Sequence, residues 1–211
     1  MPVNYYPIYL NMDGWRCLVI GGGAVAERKI AGLLEVGAKP TVVSPAITDA
    51  IARWSKEHAI ELVARRYQTS DLTEHEIAFV ATDDGEVNAQ VFNDGRRLGV
   101  WVNAADDPAH CDFILPSVLR RGALTVAVSS GGTSPALSRT IREELELYFS
   151  EEYELLVKLA AEARVELHTR GMTASFETWR RALSGEVRQL LMRGDAARAK
   201  ARLLRELGVE P

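Results

Sequence analysis

Twelve of the 16 glycines and seven of the eight prolines in this 211-residue chain fall within its first 138 residues. Glycine and proline punctuate turns, so the first part must consist of many short elements and the remainder of a few helices. The charges divide differently, with 12 basic and 16 acidic side chains before residue 139 and 13 of each after it. Two structural regimes therefore meet near residues 130–138.

Short apolar runs alternate with helical patterns in the first regime. Strands are expected at Arg16–Ile20, Thr41–Val43, Leu62–Ala64, Ile77–Ala81, Val100–Asn103 and Thr125–Ser129. Helices are expected at Ala24–Val36, Ile47–Glu57 and Glu86–Arg97. Alternation at this interval predicts an α/β domain with a mostly parallel sheet and helices on both faces. The second regime opens with Ser134 as an N-cap and Pro135 in the first helical turn, followed by an apolar stripe of Ala136, Leu137, Ile141, Leu145 and Phe149. Further helices are expected at Tyr153–Leu167, Ser175–Leu183, Glu186–Leu191 and Asp195–Leu207, broken at Gly171, Gly185 and Gly194. Helices this short bury little alone, so they are expected to pack on the first domain or on a second copy, with a homodimer as the default.

The first chemical feature is Gly21-Gly22-Gly23-Ala24-Val25-Ala26, which follows a strand, opens a helix and fits G-x-G-x-x-A. The first glycine permits a tight bend and the second lets a pyrophosphate approach the backbone. The small Ala26 allows close helix–strand packing, and the helix N-terminus offers free N–H donors. A glycine triplet also makes a plain turn, but this strand–turn–helix context favours a dinucleotide. The acidic residue expected about 20 positions on is missing, because the second strand runs into Val43-Ser44-Pro45-Ala46. Ser44 either reaches a ribose hydroxyl or belongs to an ordinary turn. Without an arginine at 44–47 to take a 2′-phosphate, NAD is preferred to NADP.

The second feature is Asn103-Ala104-Ala105-Asp106-Asp107-Pro108, which sets two carboxylates past the carboxyl end of a strand, the edge where doubly wound folds bind ligands. A carboxylate there removes a substrate proton while a nicotinamide accepts hydride, although Asp-Asp-Pro is also a common turn. His110, Cys111 and Asp112 follow, but adjacent residues of an extended segment face opposite ways and no ligand-spaced motif accompanies them. No resident metal is expected, and His58, His75 and His168 read as surface residues. The third feature, Ser129-Ser130-Gly131-Gly132-Thr133-Ser134-Pro135, is either a capped turn or a cradle for a carboxylate. Arg120, Arg121, Arg139 and Arg142 flank it and suit a polyanionic ligand.

Taken together, these segments resemble the precorrin-2 dehydrogenase/sirohydrochlorin ferrochelatase family, the N-terminal module of siroheme synthases. The resemblance rests on Tyr6-Pro7-Ile8-Tyr9-Leu10, on Cys17–Lys29 with its Ala-Glu-Arg-Lys ending, and on Ala81-Thr82-Asp83-Asp84 with Asn88. It continues through Val102–Asp106, Phe113-Ile114-Leu115-Pro116-Ser117 and Ser129–Pro135. It implies a Rossmann-like NAD-binding domain over residues 1–115, a dimerisation segment over 116–149 and a small all-helical C-terminal domain over 150–211. It also implies NAD-dependent oxidation of precorrin-2 to sirohydrochlorin, with Fe2+ insertion in many members. Whether one activity or both reside here stays open, as does a non-catalytic NAD-sensing role. The family's essential aspartate falls on Asp106, and its NAD contacts on Ala24, Val25, Pro45 and Ala46, in the cofactor cradle with Gly21, Gly22, Gly23, Ser44 and Thr82. Asn103, Ser130, Gly131, Gly132, Arg120 and Arg139 fall to the substrate.

The length leaves no room for the methyltransferase domain of the longer enzymes. A net charge of −4 argues against a nucleic-acid partner. No apolar run approaches 18 residues and the N-terminus lacks a signal-peptide pattern, so a cytoplasmic protein with no membrane partner is expected.

Overall fold

The computed structural model describes residues 4–209. The chain divides into two compact units, Met1–Leu115 and Pro116–Pro211.

In the first unit, strands β1 (Arg16–Ile20), β2 (Lys39–Val43), β3 (Glu61–Val63), β4 (Ile77–Val80) and β5 (Trp101–Ala104) pair in the order β3-β2-β1-β4-β5. Every pairing is parallel. Helices α1 (Ala24–Glu35), α2 (Asp49–Lys56) and α3 (Gly85–Leu98) make the crossovers. The alternation along β1 shows how the layers form: Cys17 and Val19 pack with Ala26, Ile30 and Ile51 of α1 and α2. Leu18 and Ile20 face the other way, toward Val91 of α3. All four are fully or almost fully buried, as a parallel strand covered on both faces requires. Because the strands are parallel, their carboxyl ends share one edge, and the order reverses there between β1 and β4. Burial pushes the Cys17 thiol up to about 12, which leaves it an inert core residue.

The second unit departs from expectation in two ways. The last strand does not extend the parallel sheet. Instead, β6 (Ser117–Arg121) and β7 (Leu124–Val128) form a separate antiparallel hairpin. Its two-residue turn is Gly122-Ala123, where Gly122 takes φ +54°. The sequence does not mark β6 as a strand, because its apolar signal spans only Val118 and Leu119 before Arg120 and Arg121. Second, the terminal helices do enclose a core of their own. Five helices follow the hairpin: α4 (Pro135–Tyr148), α5 (Glu152–Thr169), α6 (Phe176–Ala182), α7 (Glu186–Met192) and α8 (Ala196–Glu206). Leu156, Leu159 and Leu167 of α5 meet Ala182, Val187, Leu191 and Leu203 of the next three. The 18 residues of α5 supply a face long enough for the shorter helices to share. Positive φ at Gly171, Gly185 and Gly194 lets the chain reverse between them.

Candidate functional site

The glycine turn between β1 and α1 has a confined floor and an open mouth. Gly21 takes φ +114°, and a Cβ there would lie 2.2 Å from the Ala81 carbonyl oxygen. A Cβ on Gly22 would lie 2.1 Å from the Ala46 carbonyl oxygen and 2.8 Å from Ser44 Oγ. The Thr48 N–H closes this floor by donating to the Gly22 carbonyl at 3.0 Å. Gly23 differs, since a Cβ there would meet nothing within 4 Å. No side chain caps α1 at this residue, so its first-turn N–H groups point outward at the positive end of the helix dipole. Ala24 is exposed, Val25 half-buried, and Ala26 is buried beneath them. A turn of this shape accepts a pyrophosphate, so these residues fit a dinucleotide.

After β2, Ser44 is only 6% exposed, and its hydroxyl donates to the Ala46 carbonyl at 2.6 Å. The Ser44 proton therefore ties the turn together and leaves only lone pairs for a ribose hydroxyl. Pro45 and Ala46 are exposed. After β4, half-buried Thr82 accepts the Asp84 N–H at 3.1 Å, and Asp84 caps α3 by accepting from the Glu86 and Val87 N–H groups.

The loop after β5 is pinned at several points. Asn103 is buried, accepts from the Lys29 ammonium at 2.9 Å and donates to the Phe113 carbonyl at 2.9 Å. Cys111 Sγ donates to the carbonyls of Ala104 and Asp107. Asp107 Oδ2 meets His110 Nδ1 at 2.7 Å and accepts from Asn88 Nδ2 at 3.4 Å. The His110 hydrogen bond holds the Asp107 carboxyl below the usual carboxylate range. Asp112 accepts the Val102 N–H at 3.0 Å. His110, Cys111 and Asp112 thus each serve a different part of the loop. Asp106 sits between these anchors, exposed, with φ +58° in the left-handed region that non-glycine residues seldom occupy.

Lys29 is a functional candidate that motif reasoning did not single out. It projects from α1, lies 5.6 Å from the centre of the Phe79 ring, and carries its charge among largely buried neighbours. Burial lowers its pKa, opposed by the charges of Cys111 and Asp106. The available signal was its place on the apolar stripe, three residues after Ala26 and four before Leu33. His75 is likewise half-buried rather than a free surface residue, with Nδ1 shielded from solvent.

Gly21–Val25, Ser44–Ala46, Thr82, Asn103 and Asp106 thus lie at the carboxyl ends of β1, β2, β4 and β5, on one edge of one sheet. Ser130, Gly131, Gly132, Arg120 and Arg139 belong to the other unit. Half-buried Ser130 donates to the Ser134 carbonyl and accepts from the Ser134 N–H, both at 2.9 Å, while the Ser138 hydroxyl meets it at 3.1 Å. Gly131 and Gly132 follow with φ of +64° and +79°, and Ser134 caps α4 by accepting the Leu137 N–H. The arginines do not form an uncompensated basic patch. Arg139 and Arg142 pair with Glu143, Arg142 also with Glu146, and Arg121 with Glu151. Arg120 and Arg121 occupy successive positions of β6, so their side chains leave opposite faces of the ribbon. Among the described residues no three His, Cys, Asp or Glu side chains gather to hold a metal, and no helix is long and apolar enough to cross a membrane.

Residues 8–117 match the family model described as "Putative NAD(P)-binding", and residues 121–146 match that described as "Sirohaem biosynthesis protein central". The siroheme synthase of Nitrosococcus oceani is 36% identical over 203 residues, which are 95% of this chain and 43% of that one. Siroheme synthase 1 of Aeromonas salmonicida is 38% identical over 200 residues, again 43% of its length. The chain therefore spans less than half of these curated relatives. A solved structure titled SirC, precorrin-2 dehydrogenase, superimposes with a TM-score of 0.72 at 26% identity, covering 97% of this chain and 99% of that one.

Proposed function

The chain belongs to the NAD(P)-binding family, and from that membership, with its likeness to siroheme synthases and to SirC, precorrin-2 dehydrogenase, we propose that it is an NAD-dependent oxidoreductase that converts precorrin-2 to sirohydrochlorin in siroheme biosynthesis. The observation that carries the reading is Asp106: an exposed carboxylate held in a left-handed conformation, at the same sheet edge as the glycine turn. Its neighbour Asp107 is spent on His110 and Asn88.

Gly21, Gly22, Gly23, Ala24 and Val25 hold the pyrophosphate through the open N-terminus of α1. Ser44, Pro45, Ala46 and Thr82 line the rest of the cofactor's path. NAD rather than NADP is assigned because residues 44–47 contain no arginine for a 2′-phosphate. NAD, when bound, supplies the hydride acceptor. Asp106 takes the proton that the macrocycle gives up as its conjugation extends. Asn103 keeps the loop that carries Asp106 in place through Lys29 and Phe113. Carboxylates of the tetrapyrrole fall to the backbone of Ser130–Gly132 and to Arg120 and Arg139. Those arginines then exchange their present partners for the substrate, which suits a polyanion that arrives and leaves.

Fe2+ enters this reading as a second substrate. Asp106 would accept the two pyrrole protons displaced by the ion one at a time, releasing the first to solvent before taking the second, and no resident metal is required. The reading further includes a homodimer formed through residues 116–149, supported by the apolar residues Leu137, Ile141 and Leu147 left exposed on α4. It assigns the protein to the cytoplasm.

The test is incubation of the purified protein with precorrin-2 and NAD, following the macrocycle spectrum and NADH together. Stoichiometric NADH and sirohydrochlorin support the proposal, and an unchanged spectrum leaves a non-catalytic NAD sensor. Adding Fe(II) or Co(II) then separates one activity from two, since a halt at sirohydrochlorin marks a dehydrogenase alone.

A further inference from the structure

One polar atom at the cofactor edge has no partner. Asn88 lies in the first turn of α3, directly after β4, and is 5% exposed. Its Nδ2 donates to Asp107 Oδ2, whereas its Oδ1 is buried and meets no donor among the described residues. Turning the amide over would set the carbonyl oxygen against the Asp107 carboxylate, so the orientation is fixed. Nearby backbone donors are already committed: the Glu86 and Val87 N–H groups bond to Asp84 Oδ1, and the Asn88 N–H to the Asp84 carbonyl. A buried acceptor without a donor is costly, and a bound ligand is one of the ways such a group gains its missing bond.

The sheet order says which part of a dinucleotide comes near. The order β3-β2-β1-β4-β5 reverses between β1 and β4, where a dinucleotide lies across the edge with its pyrophosphate at the first turn. The adenosine half then belongs to the β2 side, beside Ser44–Ala46, and the nicotinamide half to the β4 and β5 side. Asn88 is on that second side, joined through Asp107 to the loop that carries Asp106.

We propose that Asn88 is a cofactor-binding residue whose Oδ1 accepts a hydrogen bond from the carboxamide N–H of the nicotinamide. This inference rests on the NAD reading above and adds to it a means of selecting the carboxamide. It also places the amide that reads the ring one hydrogen bond from the acidic loop.

The test is equilibrium binding by calorimetry, using NAD and 3-acetylpyridine adenine dinucleotide, whose methyl ketone lacks the amide donors. The full chain should bind NAD about tenfold more tightly, the ratio expected of one neutral hydrogen bond to a buried acceptor. Asn88→Leu, similar in volume but without an acceptor, should bind both with one affinity. It should weaken NAD about tenfold and leave the analogue unchanged. Asn88→Ala repeats the comparison should leucine disturb the helix. Equal affinities in the unaltered protein, or a tenfold preference that survives either substitution, would overturn the inference while leaving NAD binding intact. Absence of NAD binding in the unaltered protein would overturn the NAD reading and this inference together.

Discussion

Gly22→Ala and Gly23→Ala, one position apart, should have opposite effects on stability and cofactor affinity. At Gly22 the new Cβ would stand 2.1 Å from the Ala46 carbonyl oxygen, and real Cβ contacts stay above 3.0 Å, so the β2–α2 turn must retreat by about 0.9 Å. The obstacle is backbone and cannot rotate away. Retreat stretches the Thr48 N–H to Gly22 bond and the Ser44 to Ala46 bond, now 3.0 and 2.6 Å. Two weakened hydrogen bonds of about 1 kcal/mol each, with an overpacking cost of 1 kcal/mol or more, give a loss of about 3 kcal/mol. For a unit of this size that lowers the thermal midpoint by about 10 °C. At Gly23 the same methyl meets nothing within 4 Å, and the backbone is extended with φ −84° and ψ −172°. Stability should change by less than about 1 kcal/mol, because the poorer N-capping of alanine is offset by the lower conformational entropy of its unfolded chain. NAD affinity should fall at least tenfold, since the methyl stands where the pyrophosphate approaches the helix. The assay is thermal unfolding by circular dichroism, paired with NAD titration of each variant. A Gly22→Ala protein that melts with the unaltered one, or a Gly23→Ala protein that keeps NAD affinity within twofold, would refute the division into confined floor and open mouth.

Other predictions test the acidic loop and the helical unit. Asp106→Gly supplies the left-handed φ of +58° at no steric cost. It should leave the unfolding midpoint within about 0.5 kcal/mol and NAD affinity unchanged while abolishing precorrin-2 turnover, as denaturant melts and the spectral assay would show. Lys29→Met keeps the length of the side chain but leaves Asn103 Oδ1 without its donor, so about 1–3 kcal/mol of stability should be lost. Turnover in that variant should fall further than NAD affinity, a division measured by comparing kcat with the titrated Kd. In the helical unit, a hydrogen bond from Ser150, with Arg188 beside it, holds the Glu152 carboxyl below its usual range. The folded state therefore favours the carboxylate. Its contribution is complete above the ordinary glutamate value of about 4.3 and is lost as pH falls through the lowered one. Glu152→Gln should flatten that acid limb in a series of melts across the acidic range, and an unaltered slope would exclude the residue as its source.

The central strands and the glycine turn were legible because both rest on local rules: apolar runs of strand length, and a glycine-rich turn entering a helix. The loop that carries Asp106 and Asp107 was legible for the same reason, since the end of β5 can be placed from sequence; the choice of Asp106 over Asp107 came from the family resemblance alone. What escaped depends on contacts between distant segments. Gly22 reads as the variable position of the fingerprint, yet the crossing turn at Ala46 confines it as closely as Ala81 confines Gly21. Lys29 reads as one charge of the Ala-Glu-Arg-Lys segment until Asn103, 74 residues later, accepts a hydrogen bond from its ammonium. Asn88 was visible as part of a motif, but its unpaired oxygen is a property of packing alone. The arginines beside the serine loop read as a basic cluster because their glutamate partners lie one helical turn along, or on the next helix. The β6–β7 hairpin escaped because two arginines close its first strand, where a buried strand would carry apolar residues.

Under the proposed homodimer, the exposed face of α4 would make protein concentration a thermodynamic variable. Leu137, Leu147 and Tyr148 stand 52%, 86% and 59% exposed on a helix whose other face carries its own ion pairs. If two copies cover these side chains, unfolding releases two chains from one particle. The melting midpoint then rises with protein concentration, by mass action rather than by any new contact within the chain. Comparisons among the substitutions above are therefore sound only at one fixed protein concentration. A midpoint independent of concentration over two decades would place these side chains in contact with solvent instead.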